Sequence, residues 1–243
     1  RRPPPRRNNA VAESSAVMHV IARIHTDFPE KFGVPRQSGL VDELRAQIVF
    51  ESPYRNPDAV RGLEGFSHIW LIWQFDRALR DTWSPTVRPP RLGGNRRMGV
   101  FATRSPFRPN AIGLSSVRLE RVEAETPRGP VLHVRGADLV DGTPIFDIKP
   151  YLPYADSHPD ARGGFTDPIA RKLLRVSAPE ELREKFPAGL LGVLENDPRP
   201  RYQDDPERVY GLSFGGWNVR FRVAGEELTV LAMERADGGK EQR

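Results

Sequence analysis

The sequence contains no cysteine. That excludes disulfides and thiolate metal sites and removes any need for an oxidising compartment. Lysine is scarce: five of the 37 basic residues are lysine and the rest are arginine. Guanidinium groups suit bidentate and stacked contacts with RNA, although a GC-rich coding bias produces the same preference. Long apolar runs are missing. The longest, Ile69 to Trp73, falls far short of the roughly 20 residues that cross a bilayer. The basic, proline-rich start from Arg1 to Asn9 has no apolar centre of a secretory signal, so a cytoplasmic protein with no membrane partner is expected. Several chemistries are absent by motif. There is no Walker-type phosphate loop, no G-x-G-x-x-G fingerprint, no G-x-S-x-G elbow and no H-E-x-x-H pair. His19, His25, His68, His133 and His158 lack the spacing of metal ligands, so no metal is expected.

What is present fits one large domain, or one large and one small, with ample core. The chain has 243 residues and a formal net charge of +5, which favours a nucleic-acid partner through phosphate neutralisation without deciding it. Residues 1–16 are polar, charged and proline-rich and read as a disordered basic arm. From Val17 onward short β-like stretches recur: Val17 to Ile24, Ala46 to Phe50, Gly99 to Thr103, Leu114 to Val122, Val131 to Arg135 and Pro144 to Lys149. His68 to Phe75 is so dense in aromatic and β-branched residues that it reads as a strand buried on both faces. Helix is expected around Pro57 to Leu63 and from Pro168 through Asn196, followed by three antiparallel strands over Val209 to Phe214, Asn218 to Val223 and Leu228 to Arg235. The fold class is therefore mainly β: an antiparallel β-barrel over 17–163 and a small α+β domain over 164–243.

The stretch from Thr86 to Gly113 carries Arg88, Arg91, Arg96, Arg97, Arg104 and Arg108 with no Asp or Glu. Six such cations repel one another unless an anion, or a carboxylate from elsewhere in the fold, comes near. Gly93, Gly94 and Gly99 allow close backbone approach, and Pro89, Pro90, Pro106 and Pro109 stiffen the loops. A cationic, glycine-punctuated loop fits a phosphate-bearing substrate; the alternative is a solvated basic loop. A second cluster holds Asp138, Asp141 and Asp147 near Lys149. Asp141 with Gly142 also reads as a plain turn, and Asp147 with Lys149, two apart on a strand, as an ordinary ion pair.

Longer phrases are more specific: KFGVPRQSGL from Lys31, AVRGLEGFSHIW from Ala59, VRPPRLGGNRRMGVFATRSPFRPNAIG from Val87 and DLVDGTPIFDIKPYLPYADS from Asp138. They resemble the TsaA-like family, and within it the tRNA methyltransferases that act on N6-threonylcarbamoyladenosine. The likeness resumes with NDPRPRY from Asn196 and WNVRFRV from Trp217. It implies a β-barrel S-adenosylmethionine-dependent enzyme without a Rossmann core, commonly a homodimer, that adds an N6-methyl to the modified adenosine next to the anticodon. The family's cofactor pocket maps onto Pro35, Arg36 and Gln37, onto His68 and Ile69, onto Arg104 and Leu114, and onto the turn of Asp138, Leu139, Val140 and Asp141. This chain has Ala111 where proline often follows the RPN phrase.

The chemistry then needs alignment of acceptor nitrogen, methyl and sulfur, and an acceptor for the N6 proton, a part expected of Asp141 or Asp147 with Lys149 tuning it. Arg104, Arg108 and Asn110 are expected to hold the base or a carboxylate, which a guanidinium fork matches. Arg199, Arg201, Trp217 and Arg220 form a candidate surface for the anticodon stem-loop. Two other readings share the scaffold: an RNA-binding barrel without cofactor affinity, and a methyltransferase acting on a small molecule or protein.

Overall fold

The computed structural model describes residues 16–89, 92, 96–167, 172–199 and 205–236. The arm over 1–16, apart from Ala16, lies outside them, as do Pro90, Arg91, Gly93, Gly94 and Arg201.

Six strands close into an antiparallel barrel, as the alternating apolar stretches predict. They are β1 (Ala22–His25), β2 (Arg45–Phe50), β3 (His68–Gln74), β6 (Ile112–Glu123), β7 (Val131–Arg135) and β8 (Pro144–Pro150), in the order β1-β2-β7-β6-β3-β8. Closure leaves no unpaired edge in this sheet. Period-two alternation sets each face. On β6, Gly113, Ser115, Val117 and Leu119 point inward while Leu114 and Arg118 face out. Inside, Ile24, Ile48, Ile69, Leu71, Leu132 and Ile145 meet with essentially no exposure.

β3 departs from expectation. Ile69, Leu71 and Trp73 are buried, but Trp70, Ile72 and Gln74 are half-buried on the outer wall and His68 is exposed. A small closed barrel has only one interior, so the second apolar face of β3 has no layer to cover it. The expected strand from Gly99 ends at once: a two-residue ribbon, β4 (Thr86–Val87) with β5 (Met98–Gly99), gives way to a 3-10 turn over Val100–Ala102. Pro57 to Leu63 forms 3-10 turns over Pro57–Val60 and Leu63–Gly65 instead of one helix.

The rest of the chain follows α1 (Pro153–Asp156). Of the helix expected from Pro168 through Asn196, residues 168–171 lie outside the described residues, and the remainder is interrupted by β9 (Arg175–Ser177) and reduced to α2 (Glu180–Arg183) and α3 (Leu190–Glu195). Pro179 and Pro187 remove helical donors there, and Val176 takes the free edge beside Leu228 instead. β10 (Tyr210–Phe214), β11 (Trp217–Ala224) and β12 (Glu227–Arg235) form the expected antiparallel meander, with β9 added in parallel. Among the described residues no helix is long and apolar enough to cross a membrane.

The core of this second sheet is not self-contained. Phe28, Val41 and Leu44, from the connection between β1 and β2, pack among Leu190, Leu194, Leu212, Phe214 and Phe221. Burying a side chain such as Phe28 contributes about 1.5–3 kcal/mol. Gly33 shows how closely the units fit: at φ +87° a Cβ there would lie 2.2 Å from Leu212 Cδ1.

Candidate active site at one rim of the barrel

Antiparallel order sends three long connections out of the same rim: 26–44 after β1, 75–111 after β3 and 136–143 after β7. The phrases around Gln37, Arg104 and Asp138 belong to these three, which is why residues a hundred positions apart meet, whereas the phrase from Ala59 enters β3 from the opposite rim. Arg104 Nη1 donates to Gln37 Oε1, and Gln37 Nε2 donates to the Arg36 carbonyl. Arg36 Nη2 in turn donates to the Arg199 carbonyl at 2.9 Å, tying the rim to the second unit. Gly136 locks the neighbouring turns together, accepting from the Gly39 amide and donating to the Leu44 carbonyl, both at 2.8 Å.

Asp138 sits beneath this cationic layer. Its Oδ1 accepts a 2.6 Å hydrogen bond from Ser115 Oγ, and Ser115 accepts one of 3.0 Å from Trp73 Nε1. Burial pushes the Asp138 carboxyl above the usual carboxylate range, while the Ser115 hydrogen bond and the charge of Arg104 pull it back. Gly113 leaves the room for Trp73, since a Cβ there would stand 2.2 Å from the indole.

Asp141 belongs to the same rim. Its Oδ1 accepts from the Thr26 amide at 3.1 Å and lies 3.2 Å from His25 Nδ1. Its carbonyl accepts from Arg77 Nη2 at 3.1 Å. Val140 shapes the turn through its carbonyl, which takes the Thr143 hydroxyl at 2.6 Å. Arg108 braces its own loop, donating to the Thr103 carbonyl at 3.1 Å. Asn110 is exposed, and its carbonyl receives the Ile112 amide at 2.7 Å.

Other expected residues are buried, outward-facing or at the opposite rim. The side chains of Ile69 and Leu139 are in the barrel core, 0% and 1% exposed, so only their backbones are available to a ligand. Pro35 is likewise buried. Leu114 stands on the outer wall, next to Ile72 in the sheet. Asp147 and Lys149 also face outward from β8 and pair with each other at 2.9 Å, the ordinary ion pair that their spacing allows. His68 opens β3 at the opposite rim, about 20 Å of strand from Gln74, with Ser67 Oγ 2.9 Å from its Nδ1.

Of the expected stem-loop surface on the second unit, Arg201 lies outside the described residues and the other three side chains already have partners within the unit. Arg199 is 7% exposed and gives both Nε and Nη2 to Asp197. Arg220 pairs with Glu234 at 3.0 Å, and Trp217 packs on the second core under the Arg235 guanidinium. Sequence reasoning had missed Ser115, Trp73 and Arg77. The available signal for Ser115 was a hydroxyl on the inward, otherwise apolar, side of β6.

Family models fit both parts of the chain: the tRNA-methyltransferase O N-terminal domain over residues 23–157 and the TrmO C-terminal domain over 164–236. A protein of Escherichia coli K12 named tRNA (adenine(37)-N6)-methyltransferase is 44% identical over 233 residues, covering 91% of this chain and 99% of its own. A Pseudomonas aeruginosa relative, carrying the name of an S-adenosylmethionine-dependent methyltransferase, is 43% identical over 229 residues, 90% of this chain and 96% of its own. A crystal structure of TrmO from Pseudomonas aeruginosa superposes with a TM-score of 0.72 at 33% identity, covering 91% of this chain and 98% of that one. With both domain models matched in order and relatives aligned over nearly their full length, this chain belongs to the tRNA-methyltransferase O family.

Proposed function

We propose that this chain transfers a methyl group from S-adenosylmethionine to N6 of threonylcarbamoyladenosine next to the anticodon of tRNA, at the rim where Gln37, Arg104 and Asp138 meet. That meeting is the observation that carries the reading. A guanidinium, a primary amide and a half-buried carboxylate form a set of donors and acceptors that fits a small zwitterion. Arg104 matches a carboxylate, and Asp138 complements a cation. The sulfonium of S-adenosylmethionine supplies a methyl carbon already activated for displacement.

The chain's own task is alignment, worth up to about 7–11 kcal/mol in favourable cases. Ser115 fixes the Asp138 carboxylate before any ligand arrives, so no reorganisation is needed later. Of the two carboxylates considered as proton acceptors, Asp141 shares this rim and Asp147 does not. Both Asp141 contacts fall on Oδ1, which leaves Oδ2 to take the N6 proton. An arginine set for the threonyl carboxylate also disfavours unmodified adenosine, which would leave its charge unpaired.

The functional unit in this reading is a cytoplasmic homodimer. His68, which the resemblance assigns to the cofactor pocket, opens β3 at the far rim within one subunit and reaches the site only if each pocket is shared across the dimer. The chain divides into the arm over 1–16, the barrel over 17–163 and the α+β unit over 164–243, with the shared core of Phe28, Val41 and Leu44 holding the last two together.

The test is incubation of the purified protein with S-adenosylmethionine and tRNA carrying or lacking the threonylcarbamoyl group, followed by nucleoside mass spectrometry. Methylation of the modified nucleoside alone is expected. Cofactor-independent tRNA binding with no product would leave the non-catalytic barrel as the answer.

A further inference from the structure

We propose that Trp83 and Phe101 form a stacking platform for an unpaired base of the RNA substrate, flanked by Arg88, Arg96 and Arg97 as phosphate contacts. The proposal rests on the tRNA reading above and adds to it where the anticodon loop lies.

Two large aromatic side chains stand in the open here, Trp83 at 53% and Phe101 at 72% exposure. Their ring centroids are 6.2 Å apart with planes inclined by 31°. They come from different stretches and are held together by the β4–β5 ribbon, where Thr86 pairs with Gly99 and Val87 with Met98. The Val100 amide donates to the Pro85 carbonyl at 2.9 Å, and Ser84 Oγ donates to the Thr86 carbonyl at 2.9 Å. Beneath Phe101, Val100 is anchored at 1% exposure. The rings are therefore displayed by a braced segment.

The charge around them has one sign. Residues 82–119 contain no Asp or Glu. Arg88, Arg96 and Arg97 are exposed, and no carboxylate pairs with them among the described residues. Arg97 Nη1 donates to Thr86 Oγ1 at 3.3 Å, which lays its guanidinium along the ribbon. On the second unit, by contrast, Arg199, Arg220 and Arg235 are engaged internally. Open aromatic faces combined with unpaired cations fit single-stranded nucleic acid, in which bases offer π-faces and phosphates offer charge. A second copy of this chain fits poorly, because a two-fold interface sets the same cationic patch on both sides. Phe101 precedes Arg104 by three residues, at most about 11 Å of chain. A base stacked here is thus a near neighbour of the base at the rim site.

The test uses the full-length protein and an anticodon stem-loop RNA, with affinity read by fluorescence anisotropy, S-adenosylmethionine binding by calorimetry and assembly by sedimentation. Trp83→Ala and Phe101→Ala should each weaken RNA binding by roughly ten-fold, with cofactor affinity and sedimentation unchanged. Trp83→Phe should retain most of the binding, and Arg97→Ala should reduce the salt slope by about one. RNA affinity within two-fold of wild type in both alanine variants overturns the platform. So does a change of oligomeric state, which would assign the patch to a second copy. Stem-loop binding that depends on Trp83 and Phe101 in a protein that methylates nothing supports the platform and removes the methyltransferase reading instead.

Discussion

Ser115 Oγ donates a 2.6 Å hydrogen bond to Asp138 Oδ1, joining a 1%-exposed hydroxyl inside the barrel to a carboxylate beneath the cationic rim. The same hydroxyl accepts from Trp73 Nε1. Ser115→Ala leaves the Trp73 indole N–H unmet and takes one of several hydrogen bonds from Asp138, and a buried polar group left unmet costs about 1–3 kcal/mol. The variant should lose that much in urea denaturation and also raise KM for S-adenosylmethionine. A stability loss with unchanged KM would mean that the orientation of Asp138 is immaterial to ligand binding.

Asp138 itself carries a signed pH prediction. Burial raises its folded-state pKa above the ordinary 3.8. The folded protein therefore holds that proton more tightly than the unfolded chain does. The resulting stability is full below the unfolded value and is lost as pH rises through the raised one. At neutral pH the burial of this carboxyl is a net cost. Asp138→Asn should be more stable than wild type at neutral pH and lose that advantage at low pH, while methylation falls by about 10²-fold or more. Thermal melts across pH 3 to 7 check the sign. An Asn variant less stable at pH 7 would contradict it.

Arg104→Ala removes an exposed side chain, so the fold should be preserved, while activity should fall by about 10²-fold or more through lost alignment. His68→Ala should also fail if His68 of the partner subunit completes each site. Mixing the two dead variants is then decisive. Subunit exchange should restore roughly one quarter of wild-type activity, from heterodimers with one intact site. A mixture as inactive as its parts would place Arg104 and His68 in separate roles.

Gly33→Ala combines a left-handed backbone with a Cβ 2.2 Å from Leu212 Cδ1. It should destabilise the protein by about 1–3 kcal/mol, chiefly by loosening the packing of Phe28 and Val41 against the second sheet. Hydrogen exchange should then rise at the faces of Phe214 and Phe221 and remain slow in β3 and β6. Uniform acceleration throughout both sheets would argue against a local effect.

Local pattern made much of this architecture legible. Alternating apolar residues in Trp217–Ala224 specify a strand and its inward face wherever only one face is covered. The long phrases around Gln37, Arg104 and Asp138 marked the family and nominated the rim before any strand was paired.

Pattern could not show which elements become partners, and that is where expectation and structure part. Arg199 reads as a surface cation until Asp197 and the Arg36 contact enclose it. Val176 reads as helical until Leu228 offers a free edge. His68 sits beside the pocket in the sequence map and at the opposite rim in the subunit, because strand direction is set by pairing. Ser115 reads as a gap in an apolar strand until Asp138, 23 residues later, takes its hydrogen bond. The sequence alone determined most strands of the barrel, the C-terminal meander and the family. Tertiary structure decided which side chains face one another, because burial and hydrogen bonding between distant segments depend on closure of the barrel.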